Sequence, residues 1–418
     1  MKSQHKSEGG GMILSFFMRV VAVLFICFSL LFISFNPIKE SRHFVGNDEW
    51  YYFRYALAVE KKGTLAFSQM LRWYNSSDEA RKHPSPMRAG YLLWISFLFK
   101  IFGPSFAVLE LCSTMSFIIL LYVCYYYVRK YFTADVALLL VWLLSSSPLM
   151  LGLSRRALLD GPLNLLWGTL VWVFFDFLMS PGKKKYVFIV LLLALSITVK
   201  EMTVVLIPFF MLAGAWFKRK GTAIRWSEIL GIMFWPLLIV TVFYSWILSG
   251  GPAPYEIVSG IFKTHFAGGH PNPYAIDYSS GPWFRYILDF LLLTPVTLLL
   301  MIGYLGFLVA RRDQLTLKIK YLLAYFIFVY TALNALPHSK VVRFVVNLDM
   351  VLNLFAVLML IELFKPQDSL RRQEIFFGAV IGIIVLNWCI FSQLFYQSNL
   401  LDPISYHLLR YRHLIPVD

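Results

Sequence analysis

Apolar runs of roughly eighteen residues or more recur from one end of the chain to the other, with only short polar interruptions. A soluble domain alternates apolar and polar faces along its helices and strands, and this chain mostly does not. In lipid every backbone polar group must be paired within the chain, so such runs read as spanning helices. Spans are expected near 12–35, 105–128, 134–151, 161–179, 186–200, 202–217, 229–249, 284–310, 320–336, 342–364 and 375–396, about eleven in all. The expected class is an all-α polytopic membrane protein. Residues 1–418 read as a single membrane domain, with a long first extracytoplasmic loop at 36–104 and a later one at 250–283. The first run is too long for a signal-peptide core and is read as a retained anchor.

The apolar run Arg88 to Phe102 is short for a span, and the basic residues decide how it lies. If it lies flat and the N-terminus is cytoplasmic, the loops with Arg129 and Lys130, Lys183 to Lys185, Lys218 to Lys220, Arg311 and Arg312, and Arg371 and Arg372 all face the cytoplasm. If it spans, they all flip outward. The flat reading is adopted, and it places the C-terminus outside.

Composition agrees. Hydrophobic residues make up 59% of the 418, charged residues 15%, and the net charge is +15. The cations sit in short clusters between apolar runs, which sets topology and argues against nucleic acid as a partner. Cys27, Cys112, Cys124 and Cys389 fall inside apolar runs with neither disulfide nor metal spacing, and are expected to be buried small residues.

The flat reading gathers the chemistry-bearing segments on the extracytoplasmic side. Asp48 and Glu49 follow Asn47 at a helix start. They are either dipole partners or carboxylates held above the membrane, one as a general base. Arg155 and Arg156 either anchor a helix at the interface or grip a phosphate, with Asp160 orienting an arginine or a sugar hydroxyl. Lys200 and Glu201 lie between two tightly joined spans, either as an ion pair or as a snorkelling lysine and its neighbour. His338, Lys340 and Arg343 cluster cations where the positive-inside tendency disfavours them, which suits an anionic headgroup or pyrophosphate. In the later loop His265 and His270 fit no metal motif and read as lid residues, while Tyr274, Tyr278 and Trp283 could stack on a sugar face.

The order of these elements resembles the GT-C superfamily of glycosyltransferases, in the branch of protein O-mannosyltransferases and lipid A aminoarabinose transferases. The elements that carry it are an anchor helix, an outer loop opening on Asp48-Glu49 and aromatics, then His83-Pro84-Ser85-Pro86 and an interfacial helix ending at Phe102-Gly103. Ser147-Pro148, the run Arg156-Ala157-Leu158-Leu159-Asp160 and a lysine closing a span follow. The likeness covers residues 44–201 and continues more weakly at Gly281-Pro282-Trp283 and from His338 to Phe344. It implies a sugar donor on a polyprenyl phosphate and an acceptor (lipid, glycan or protein) that attacks the anomeric carbon with inversion. It also implies Asp48 as base, Glu49 as its acidic neighbour, Asp160 as the second-loop acid, and Arg155 or Arg156 with Lys200 near the donor phosphate. The phosphate leaves with its own charge, so no metal is required, though a divalent ion would help.

Two departures stand out. Many relatives have Pro-Pro where this chain has Pro84-Ser85-Pro86, and an arginine early in the second span where this chain has Glu110. Arg88, Arg155 or Arg156 must then supply that cation. Nor is a large soluble domain expected. The main rival is a polytopic transporter or lipid flippase, for which internal repeats and mid-membrane charges would be expected. An O-antigen ligase or polymerase would carry a larger late outer loop, and a structural scaffold leaves the outer clusters unexplained. The compact size fits a bacterial inner membrane, and an endoplasmic reticulum membrane fits as well.

Overall fold

The computed structural model describes residues 15–36, 38, 47–248, 281–335 and 340–398. Among them the regular structure is helical throughout, with no strand. The chain is a polytopic membrane protein. Eight helices are long and apolar enough to cross a membrane, or nine if one bent pair counts as a single span.

The first crossing is α1 (Phe16–Phe35), started by Ser15, whose hydroxyl accepts from the Met18 amide. A group of shorter helices follows: α2 (Asp48–Lys62), α3 (Leu65–Ser76), α4 (Asp78–Arg81) and α5 (Ala89–Phe102). The limits of α2 follow from its sequence. The Asn47 side chain accepts from the Trp50 amide, Asp48 and Glu49 occupy the first turn, and Lys61 and Lys62 occupy the last. Gly63 ends it at φ +62°, a conformation that suits glycine.

Helix α5 stays at one end of the bundle. Gly90, in its first turn, lies against Thr198, and Phe99 near its other end packs on Phe53 of α2 at 5.5 Å between ring centroids. Phe106, which opens α6 (Phe106–Tyr131), stacks on the same Phe53 at 4.6 Å. One end of α5 therefore meets the end of α10, and the other meets α2 beside the start of α6.

The run expected at 134–151 breaks into α7 (Ala134–Leu144) and α8 (Pro148–Ser154), bent by 64°. The Ser145 and Ser146 hydroxyls donate back to the Trp142 and Leu143 carbonyls, and Pro148 starts the next helix. Then come α9 (Asp160–Met179), α10 (Lys183–Val199), a 3₁₀ turn (Glu201–Val205), α11 (Leu206–Arg219) and α12 (Trp226–Ile247). The run 284–310 is also broken, at Thr294, into α13 (Arg285–Leu293) and α14 (Pro295–Ala310), because Pro295 has no amide to continue the ladder. The bundle closes with α15 (Leu317–Asn334), α16 (Val346–Phe364) after a 3₁₀ turn (Val342–Val345), and α17 (Leu370–Phe391). Within the described residues every run expected to span is helical apart from these breaks. The difference from about eleven comes from α10, at 17 residues, and from the divided α13–α14.

Helices α9 and α16 form the centre, each 78% buried along its apolar stretch, against 22% for α1 and α12. Close approach needs small residues where lipid gives no hydrophobic drive between helices. Gly161 of α9 supplies one, since a Cβ there would lie 2.9 Å from the Ser113 Cβ of α6. Cys112 and Cys124 are buried as expected, but Cys27 and Cys389 are exposed on the flank of the bundle, because their helices present those faces outward.

The two ends differ in character. At one, Asp176 holds Lys130 (2.5 Å), Lys185 (2.9 Å) and the Tyr131 hydroxyl, while Lys318 donates to the Tyr131 carbonyl (2.8 Å) and Arg19 pairs with Asp135 (3.0 Å). Of these, Lys130 and Lys185 belong to basic connections expected to face the cytoplasm. The starts of α2, α9 and the turn before α16 meet at the other end.

Candidate functional site

Three chain segments far apart in sequence converge there. Asp48 opens α2, Asp160 opens α9, and Arg343 lies in the 3₁₀ turn that leads into α16. The Arg343 guanidinium bridges both carboxylates, with Nη2 2.5 Å from Asp48 Oδ2 and Nη1 3.5 Å from Asp160 Oδ2. Lys200 leaves the end of α10 in extended backbone and donates from Nζ to Asp160 Oδ1 at 2.9 Å. Its ammonium also sits 4.1 Å from the Phe344 ring centroid, an attractive placement for a cation.

The neighbouring carboxylate has a different environment. Glu49 is 0% exposed. Arg156 Nη2 donates to its Oε2 at 2.9 Å, Arg156 Nε lies 2.7 Å from Oε1, and the Ala157 amide donates to Oε1 at 3.1 Å. This buried pair fastens α2 to the segment between α8 and α9. Asp48 remains partly open, its side chain 25% exposed.

Asp160, Asn164, Lys200, Arg343 and Asn347 line a narrow cleft with room for about one water. Phe117, Met150, Leu153, Ser154, Asn164 and Val346 line a second small cleft at Asp160, again with room for about one water. Burial pulls the Lys200 ammonium down to about 8, Arg88 and Arg343 push the same way, and Asp160 opposes them. Burial also lowers Lys340 and raises the Tyr55 phenol, the latter reinforced by Tyr51, Tyr74 and Asp48.

Four of the residues singled out in the sequence therefore belong to one cluster: Asp48, Asp160, Lys200 and Arg343. Arg156 serves Glu49. Arg155 takes another direction, donating from Nε and Nη2 to the Asn36 carbonyl (3.1 and 2.8 Å) beneath the Tyr396 ring, 4.8 Å away. Lys340 donates to the Gly281 carbonyl at 2.5 Å, fixing the backbone before Trp283, whose own side chain is exposed. His265, His270, Tyr274, Tyr278 and His338 lie outside the described residues, as does most of the later loop. Lys200 and Glu201 do not pair with each other, because Lys200 takes Asp160 and Glu201 lies 3.8 Å from Arg88.

Arg88, one of the three cations expected to stand in for the arginine replaced by Glu110, opens α5 beside the cluster, with its guanidinium 5.4 Å from the Tyr52 ring. Phe344 was visible only as the neighbour of Arg343. No group of three or more His, Cys, Asp or Glu that could hold a metal occurs among the described residues.

Comparison with known proteins gives the architecture a wider setting. The sequence model of the dolichyl-phosphate-mannose-protein mannosyltransferase family matches residues 82–246, less than half of the chain. No curated protein sequence matches. The fold is similar to that of ArnT from Cupriavidus metallidurans bound to undecaprenyl phosphate, with a TM-score of 0.56 and 16% identity over 89% of this chain and 63% of that one. It is also similar to the archaeal oligosaccharyltransferase AglB from Archaeoglobus fulgidus in complex with an inhibitory peptide and a dolichol-phosphate. There the TM-score is 0.58, with 12% identity over 97% of this chain and 61% of that one. The chain thus spans about three fifths of the length of either. At these identities the likeness is one of fold alone, which this chain shares with ArnT and AglB.

Proposed function

We propose that the chain is a glycosyltransferase that moves a sugar from a polyprenyl phosphate to an acceptor at the extracytoplasmic face. One observation carries this reading: Arg343 joins Asp48 to the Asp160–Lys200 pair, so a carboxylate and two cations stand together where the bundle opens. Displacement at an anomeric carbon needs that combination, a base for the acceptor and positive charge for the leaving phosphate.

In this reading Asp48 takes the proton of the attacking hydroxyl. The bond from that oxygen to the anomeric carbon forms as the bond to the phosphate oxygen breaks. Lys200 and Arg343 take up the charge of the departing lipid phosphate, and a single displacement inverts the centre. Asp160 holds both cations in place. Glu49 and Arg156 keep the base-bearing helix against the bundle. The structures of ArnT with undecaprenyl phosphate and of AglB with dolichol-phosphate support a lipid carrier by analogy of fold.

Binding of a polyprenyl phosphate to purified protein in lipid tests the assignment. Arg343→Ala and Lys200→Ala should each weaken it about thirty-fold or more, the cost of losing a charge-assisted contact in a partly dry site. Unchanged affinity in both variants, with thermal stability retained, would place the phosphate elsewhere.

The transporter or flippase reading keeps one observation in its favour. Asp349, fully buried in α16, accepts from Ser147 Oγ (2.5 Å) at the α7–α8 break and from Asn353 Nδ2 (3.0 Å). Broken helices beside buried acids are a transporter feature. Lipid movement without sugar transfer by the purified protein would favour it.

A further inference from the structure

Helix α2 carries more than its carboxylates. Asp48, Tyr51 and Tyr55 are spaced three and four residues apart and form one stripe along it. Beyond Asp48 that stripe meets two rings from other segments. Tyr51 stacks on His83 with centroids 4.1 Å apart and planes 24° apart. Trp73 of α3 lies 6.1 Å from His83 at 8° and 6.2 Å from Tyr51 at 23°. The three rings are thus close to parallel. The loop bearing His83 is fixed, because the Tyr55 hydroxyl donates to the Pro84 carbonyl at 3.2 Å.

The surface of this group is open. Trp73 is 43% exposed, and Tyr51 and His83 are half-buried. Charged residues flank it: Arg54 over the Trp50 ring at 4.6 Å, and the Glu79–Lys82 ion pair at 2.5 Å. An aromatic surface with a polar rim suits a pyranose, which has C–H faces and a hydroxyl edge. A lipid chain would call for a continuous apolar groove.

We propose that Tyr51, Trp73 and His83 form a carbohydrate subsite that seats a sugar ring of the acceptor beside Asp48. The acceptor assignment rests on the glycosyltransferase reading and on the order of groups along α2. Arg343 pairs with Asp48, and Tyr51, stacked on His83, stands one helical turn further along the same face of α2. The donor phosphate belongs with the cations, so the ring beyond the base belongs to the nucleophile. The acceptor class is accordingly a glycan or glycolipid.

The test measures sugar binding without a donor. Wild type in lipid nanodiscs, free of glycoside detergent, is presented with methyl glycosides of glucose, galactose, mannose and N-acetylglucosamine, and saturation-transfer NMR reads the contact. At least one should receive saturation at its ring protons. Trp73→Ala and His83→Ala should weaken that binding about tenfold, and Trp73→Phe should retain most of it. Polyprenyl phosphate binding, measured in parallel, should be unchanged in all three variants. Absence of contact for every glycoside, or full contact in Trp73→Ala, would overturn the subsite while leaving donor binding intact. Sugar binding at these rings by a protein that binds no polyprenyl phosphate would overturn the acceptor assignment together with the transferase reading.

Discussion

Two adjacent carboxylates at one helix start have been given different surroundings. Glu49 is buried against Arg156 and the Ala157 amide, so removing its charge would leave Arg156 buried without a counter-ion. Asp48 is partly open and shares Arg343 with Asp160, so its partner is one that a phosphate can compete for. Lys200 adds a pH dependence. Its ordinary value is 10.5 and burial lowers it to about 8, so in the folded protein the neutral amine prevails above about 8. Its share of stability therefore rises as pH goes from about 8 to 10.5, while the folded protein loses the charge around pH 8. Affinity for a polyprenyl phosphate should accordingly fall as pH passes through about 8. Titration calorimetry between pH 7 and pH 9.5 checks this, and Lys200→Arg, which stays charged throughout, should flatten that limb. A flat profile in wild type would remove Lys200 from phosphate binding.

At the level of elements, catalytic geometry depends on how closely α9 approaches α6. Gly161, the residue after Asp160, has Ser113 so near that a methyl group would sit 3.0 Å from its Cα. Gly161→Ala should cost about 1–3 kcal/mol of stability by overpacking. It should also lower transfer, because Asp160 moves with the start of α9; a Tm scan and a transfer assay report the two effects, and unchanged values for both would show that the contact yields freely. The spans were legible because long apolar runs admit little else in lipid. The breaks at 145–147 and at Thr294 leave no gap in hydropathy, and only Pro148 and Pro295 mark them, so a reading by apolar runs passes through both. The members of the charged cluster could be read as residue types in suitable loops. Their pairing could not: Arg343 and Asp48 are 295 positions apart, and nothing local ties them. Arg155 and Arg156 looked equivalent for the same reason, yet one serves the Asn36 carbonyl and the other Glu49.

The whole molecule is a bundle with a basic end and a chemical end. The basic end has Lys130, Lys185 and Lys318 on short connections, while the other carries the cluster, helices α2 to α5 and the aromatic group. By the positive-inside tendency, we propose that the first faces the cytoplasm. With native cysteines replaced, a membrane-impermeant thiol reagent added to intact cells should label Glu79→Cys and leave Lys184→Cys unlabelled; the opposite pattern would invert the orientation and move the cluster inside.

The central claim is that Asp48 is the base of a sugar transfer. Asparagine keeps the size of that side chain and suits a helix start, and removes only the charge and the capacity to accept a proton. A residue that merely opened a helix would lose at most about 1 kcal/mol of stability on this change and turn over normally. A positioned base contributes about 10²–10⁴-fold in rate. The decisive measurement is the rate of sugar transfer from a polyprenyl-phosphate donor by purified wild type and Asp48→Asn in matched lipid, with polyprenyl phosphate affinity measured on both. A rate lowered by at least about a hundredfold at unchanged affinity is the predicted result; equal rates would contradict it.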